Sequence, residues 1–154
     1  KGVGFTKEVL RCLDKIGKEA SLVITGSGGR VENYYQHLDI TQLGWVSEDE
    51  KRTLIEEADF LLAPSEFEGA SMSVIESMAS GLPCLVSEVS NETVGVEELV
   101  MKSFNPEIWA ERIVELSETK QYESMVKSVK KRSQKYLPEH SKIGLGKIYN
   151  ELIE

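Results

Sequence analysis

The sequence predicts an α/β fold, a doubly wound parallel sheet of Rossmann-like type, on three observations. Short apolar runs recur along the chain: Leu22-Val23-Ile24-Thr25, Phe60-Leu61-Leu62-Ala63 and Cys84-Leu85-Val86-Ser87. Runs without polar alternation suit strands covered on both faces. Segments of helical periodicity lie between them, and small residues gather where the strands end. Such alternation builds a parallel sheet that binds ligands at the carboxyl ends of its strands. The 154 residues fit a single domain, 1–154, with enough chain to bury a core without staples.

In order, Val9, Leu10, Leu13 and Ile16 give Phe5 to Ala20 a helical stripe. The strand at 22–25 runs into Gly26-Ser27-Gly28-Gly29, a tight turn. Arg30 to Leu38 reads as a short helix and Ile40 to Trp45 as a strand. Ser47-Glu48-Asp49-Glu50 is a capping box with an acidic first turn, opening a helix to about Ala58. The buried strand at 60–63 stops at Pro64, and a loop from Ser65 to Ser71 leads to a helix ending near Ser80. Gly81 suits the position after that helix, and Pro83 prevents its continuation. The strand at 84–87 follows, then a short strand near Leu99-Val100. Helices are expected over Pro106 to Thr119, Gln121 to Tyr136, and Ser141 to the end.

Composition narrows the function. The chain is 40% hydrophobic and 29% charged, with a net charge of −8. A nucleic-acid partner would call for a basic face, so that class is set aside. Any anionic ligand must be held by local groups against the overall field. Cys12 and Cys84 sit inside apolar patterns and read as free buried thiols of a cytoplasmic protein. No apolar run approaches the roughly 18 residues of a membrane span, and no signal peptide is visible.

The chemistry concentrates in Pro64-Ser65-Glu66-Phe67-Glu68-Gly69-Ala70-Ser71-Met72-Ser73-Val74-Ile75-Glu76. Small residues after a strand and before a helix let backbone approach a ligand. The unpaired N–H groups of the helix's first turn suit a phosphate. Glu76, about one turn in, would repel phosphate but can accept two hydrogen bonds from ribose hydroxyls. A second reading stays open: Ser73-Val74-Ile75-Glu76 also fits a capping box, and Glu68 fits a solvated loop.

The same stretch resembles the signature of the group 1, family 4 glycosyltransferases, retaining enzymes of GT-B fold. Glu68 and Glu76 have seven residues between them, and Gly81-Leu82-Pro83 closes the pattern. Ala58 to Ser65 resembles the family's strand into this loop, Thr25-Gly26-Ser27-Gly28 its Gly-x-Gly turn, and Leu43-Gly44-Trp45-Val46 its base-contacting loop. Lys1-Gly2 is similar to the family's phosphate-binding Lys-Gly. The match runs in order from Lys1 to about Asn91. Ala70 and Ser71 replace the family's common Phe-Gly. Ser90-Asn91-Glu92-Thr93-Val94 stands where Gly-Gly-x-Pro-Glu is usual.

The resemblance implies a donor-binding C-terminal half of GT-B fold, working with an N-terminal acceptor domain of the same protein. It implies that Glu76 holds the ribose, Glu68 the transferred sugar, and Lys1 the diphosphate. Gly69, Ala70 and Ser71 would offer backbone N–H groups. Gly26 and Gly28 would form the close turn, and Val46 would meet the base. A nucleotide sugar is the substrate, and no metal or other cofactor is expected. The acceptor would be a glycan or a lipid-linked group. The resemblance also places a central strand just before Lys1, between 22–25 and 60–63. Close pairing of these two, another chain's strand in the slot, or residues before Lys1 are the three outcomes, the last preferred, and direct pairing would rule the placement out. Alternatives are a nucleotide-sugar epimerase of the same fold, which needs further acid/base groups, and a non-catalytic nucleotide-binding regulatory module.

Other residues carry weaker signals. His37 and His140 stand alone and read as surface or packing residues. Lys127, Lys130, Lys131 and Lys135 share a helical face. That face suits a peripheral membrane contact of the full-length protein, but without an apolar partner side a solvated face is preferred. Trp45 and Trp109 are expected to be core anchors.

Overall fold

The computed structural model describes residues 2–27, 31, 34–118 and 120–137. Two parallel sheets carry the fold. In the first, β1 (Ala20–Thr25) pairs with β2 (Leu38–Gly44), Leu22 opposite Ile40. In the second, β4 (Cys84–Ser87) lies between β3 (Leu61–Ala63) and β5 (Val100–Met101), with Leu62 opposite Leu85 and Val86 opposite Val100. The α/β class with parallel strands is thus the one the sequence predicts. β1 and β3 belong to separate sheets, as the expected placement of a strand between them requires.

Helix α1 (Val3–Ile16) buries Val9, Leu10 and Leu13. It ends four residues short of the expected Ala20 because Gly17 takes a left-handed conformation and returns its N–H to Asp14 O. The Asp14 carboxylate accepts the His37 N–H at 2.7 Å, and the His37 carbonyl accepts the Ala20 N–H at 3.1 Å. Ala20 is therefore drawn into the β1–β2 ladder, and residues 18–19 are irregular. The same contacts bring β2 in at Leu38, two residues early. The helix expected over Arg30 to Leu38 is not found: residues 34–37 are irregular, and Arg30, Glu32 and Asn33 lie outside the described residues.

Helix α2 (Glu48–Glu57) has the expected capping box. The Ser47 N–H donates to Glu50 Oε2 at 2.7 Å, and the Glu50 N–H donates to Ser47 Oγ at 3.3 Å. These bonds hold the exposed Glu50 carboxyl below its usual range, the Ser47 hydroxyl contributing most. Helix α3 (Met72–Ser80) closes at Gly81, where φ is 94°. After β4 come a 3₁₀ turn (Glu88–Ser90), the short α4 (Asn91–Val94) and a second 3₁₀ turn (Glu97–Leu99) before β5. Helices α5 (Pro106–Glu118) and α6 (Tyr122–Ser133) complete the described fold, α6 running into a 3₁₀ turn at Gln134–Tyr136. The expected helix from Ser141 lies outside the described residues.

Helix α1 packs on α5, and α3 on α6. One core cluster joins Val9, Leu10, Val74, Met78, Leu85, Val86, Leu99, Trp109 and Val129. Trp109 is fully buried, and its indole N–H donates to Ser103 O at 2.7 Å. Phe5 stands edge-on to Trp109 at 5.3 Å, a geometry that favours the ring quadrupoles. The expectation of evenly buried strands needs correction. β4 is buried throughout, but β1 alternates, with Val23 44% exposed. Among the described residues nothing seals that face of the first sheet. Trp45, expected in the core, is 85% exposed because it lies on the bend after β2. Both cysteines are free; Cys84 is buried and Cys12 only partly so.

Candidate functional site at the ends of β2 and β3

Three helix starts converge at the carboxyl ends of the strands. Helix α2 begins after β2, and α3 begins after β3. Lys51, in the first turns of α2, reaches Glu76 of α3 at 3.0 Å and Glu48 at 2.7 Å. That bridge holds the first turns of α2 beside α3, so the helices that follow β2 and β3 are neighbours. Helix α1 begins there too. Gly2, its N-cap, has φ 71°, and a Cβ on it would lie 2.1 Å from the Pro64 carbonyl oxygen. Only glycine lets that backbone pass so near the end of β3.

The loop from β3 to α3 is anchored from below. Ser65 donates its N–H to Ser87 Oγ at 3.1 Å, and the Ser87 hydroxyl donates back to the Ser65 carbonyl. Both serines are buried. The Ser65 hydroxyl in turn donates to Glu68 Oε2 at 3.4 Å, so Glu68 is held over the strand end rather than trailing in solvent. Gly69 and Ala70 are exposed, and a Cβ on Gly69 would meet nothing within 4 Å. A ligand has room to reach that backbone.

Ser71 is the N-cap of α3, and its side chain makes no capping hydrogen bond among the described residues. Met72, Ser73 and Val74 are the first three helical residues, whose N–H groups have no carbonyl one turn back to bond. They are donors available to an anion, backed by the helix dipole. Because the cap is Ser71 and not Ser73, the capping-box reading of Glu76 fails. Its carboxylate pairs with Lys51 instead. Glu48 and then Glu76 raise the Lys51 ammonium above its ordinary range.

Glu68, Gly69, Ala70, Ser71 and Glu76 are thus gathered on one loop and one helix. Val46 lies at the start of α2, on the wall of a depression of about 300 Å³ with Leu43, Trp45, Glu50, Thr53 and Leu54. Gly26 donates its N–H to the Gly44 carbonyl, tying the end of β1 to the end of β2. Lys1 and Gly28 lie outside the described residues. A larger depression, about 520 Å³, lies between 95–98 and α6 and holds none of these residues. It is an open groove walled by Lys131, Arg132 and Lys135 opposite Glu97 and Glu98, remote from the strand ends that position the loop. Lys51 escaped the sequence reading, although it could have drawn notice as a cation in the first turns of a helix, where the dipole disfavours it; Ser87 is legible there only as the end of a strand, without its tie to Ser65. Among the described residues no three His, Cys, Asp or Glu side chains form a metal-binding group, and no helix is long and apolar enough to cross a membrane.

Residues 1–119 match the family described as Glycosyl transferases group 1. An uncharacterized glycosyltransferase of Methanocaldococcus jannaschii is 31% identical over 127 residues, covering 79% of this chain and 36% of the relative. A second from the same organism is 31% identical over 119 residues, 71% of this chain and 28% of the relative. The provisionally named glycosyltransferase EpsF of Bacillus subtilis (strain 168) is 31% identical over 124 residues, 73% of this chain and 32% of the relative. The chain spans about a third of the length of these curated relatives.

Proposed function

Because this chain belongs to the group 1 glycosyl transferases, we propose that it is the nucleotide-sugar-binding half of a retaining transferase of two-domain GT-B type. The observation that carries this reading is the arrangement of the β3–α3 segment. Glu68, the open N-terminus of α3 and Glu76 follow one another within a single loop and helix. A nucleoside diphosphate sugar offers the matching groups in the matching order: sugar hydroxyls, diphosphate, ribose hydroxyls.

Each residue then has a task. Glu76 accepts hydrogen bonds from the ribose. Gly69, Ala70, Ser71 and the first turn of α3 donate N–H groups to the diphosphate, with Lys1 adding charge. Glu68 accepts from hydroxyls of the transferred sugar and orients it. Val46 meets the base through its backbone, and the Gly26–Gly28 turn closes on the ligand. As the bond from the anomeric carbon to the diphosphate breaks, negative charge grows on the leaving oxygen. Fixed backbone donors stabilise that charge without reorganising. The acceptor hydroxyl attacks from the face the diphosphate leaves, and the departing diphosphate takes its proton. No metal is invoked.

The acceptor, a glycan or a lipid-linked group, is held by an N-terminal domain of the same full-length cytoplasmic protein, and only a lipid-linked acceptor would call for a peripheral membrane contact. Calorimetric titration of the protein with UDP-, GDP- and ADP-sugars tests the reading. Saturable binding with preference for one base is expected, and absence of binding to all three would sink it. The 154-residue chain alone should release no nucleoside diphosphate in the presence of acceptor; turnover by it would overturn the division of labour.

A further inference from the structure

Glu76 is not left to find its own rotamer. Lys51 donates to its Oε2 at 3.0 Å from the neighbouring helix, and Lys51 is itself held by Glu48 at 2.7 Å. Lys51 and Glu76 are both only about one-third exposed, whereas Glu48 is open to solvent. A cation so early in α2 opposes the helix dipole. Three acidic residues, Glu48, Asp49 and Glu50, share that first turn and offset the cost. Of these, Glu50 is committed to the capping box and Glu48 to Lys51. Hence Glu76 is the lysine's one recorded partner outside its own helix among the described residues.

We propose that Lys51 is a positioning residue for nucleotide recognition: it fixes the Glu76 carboxylate through Oε2 and leaves Oε1 to accept from the ribose. The proposal rests on the ribose-binding reading of Glu76 given above. A carboxylate accepts about four hydrogen bonds, so the lysine and two ribose hydroxyls fit together on it. Held on one oxygen, the side chain has less rotamer freedom left to lose when the ligand arrives. The lysine also offsets the field of a carboxylate that stands close to a bound diphosphate. Lys51 does not touch the ligand in this scheme, and Glu48 keeps its ammonium from swinging toward the phosphates.

The test is a set of titrations on the full-length protein with UDP, GDP and ADP and with their 2′,3′-dideoxy forms. The variants are Lys51→Met, Lys51→Arg, Glu76→Gln and the Met/Gln double variant, with melting curves for each. Lys51→Met is expected to weaken the preferred diphosphate about ten-fold, the scale of a lost charged partner. Lys51→Arg should recover most of that loss. The Lys51→Met penalty should vanish with the dideoxy ligand and in the Glu76→Gln background. If Glu76→Gln weakens binding but Lys51→Met does not, the positioning role is wrong and the ribose reading stands. If Glu76→Gln has no effect, the ribose reading fails and takes this proposal with it. A Lys51→Met penalty that persists with the dideoxy ligand would mean direct contact with the phosphates and would overturn the proposal. Should Lys51→Met not fold, Lys51→Gln carries the same comparison.

Discussion

Ser87 and Ser65 exchange two hydrogen bonds across the ends of β4 and β3: the Ser65 N–H donates to Ser87 Oγ at 3.1 Å, and the Ser87 hydroxyl donates to the Ser65 carbonyl. One side chain thereby satisfies both backbone groups of the residue that opens the Glu68 loop. Because both serines are buried, no water can readily replace either bond.

Ser87→Ala is therefore expected to cost about 1–3 kcal/mol, the penalty for leaving buried backbone groups unpaired. Thermal or urea unfolding would measure it. Ligand affinity should fall as well, because the loop carrying Glu68 loses its footing. A melting temperature equal to wild type would show that the loop is held by something else.

Glu76→Ala should weaken nucleoside diphosphate binding by about 1–3 kcal/mol, the range for losing hydrogen bonds to a charged group. Melting should change little, since Glu76 does not cap α3 and its pair with the part-exposed Lys51 is of the weak surface kind. Unchanged affinity with a lower melting temperature would assign Glu76 a purely structural role.

Gly2→Ala and Gly81→Ala should differ in severity. Both glycines have positive φ, 71° and 94°. A Cβ on Gly81 would meet Lys130 Cε at 2.4 Å, the end of a flexible side chain that can move aside. A Cβ on Gly2 would meet the Pro64 carbonyl oxygen at 2.1 Å, which cannot move without shifting β3. Gly81→Ala is expected to cost about 1 kcal/mol for the strained backbone, and Gly2→Ala about 1–3 kcal/mol with a loss of ligand binding. Equal effects in unfolding and titration would contradict the contact with Pro64.

Burial pushes the Cys84 thiol up to about 12 from an ordinary 9.0. Below about pH 9 the thiol is protonated whether the chain is folded or not, and stability does not depend on it. Between about 9 and 12 the unfolded chain releases a proton that the folded chain keeps, so stability falls as pH rises. Comparing wild type with Cys84→Ala in unfolding titrations from pH 7 to 10.5 isolates the effect. The variant should lose less stability over the alkaline half, and parallel curves would show that Cys84 does not contribute.

The parts of the molecule that were legible in the sequence are those written in local chemistry. The Ser47–Glu50 box announces α2, Gly81 and Pro83 end α3, and the apolar run at 84–87 becomes the buried middle strand of its sheet. Small residues between two glutamates marked the candidate site. The rest depends on neighbours. Gly17 ends α1 early, in concert with a hydrogen bond that the His37 N–H donates to the Asp14 carboxylate, 23 positions away. Trp45 has the composition of a core residue, but its place on a bend decides its exposure. No local pattern distinguishes Ser73 from Ser71 as the cap, and so none foretells that Glu76 will turn to Lys51. Ser87 looked like the last residue of a strand, and its service to Ser65 exists only once β3 and β4 are paired.

Splitting five strands into two ladders leaves four open sheet edges among the described residues, where one continuous sheet would leave two. The four belong to β1 and β2 in one ladder and to β3 and β5 in the other, and an open edge offers its outward N–H and C=O groups to any extended segment that comes near. One parallel strand laid between β1 and β3, where the family resemblance expects it, would remove two of the four. Pairing at such an edge is made by backbone groups and not by surface side chains, so charge substitutions far from β1 and β3 would change it little.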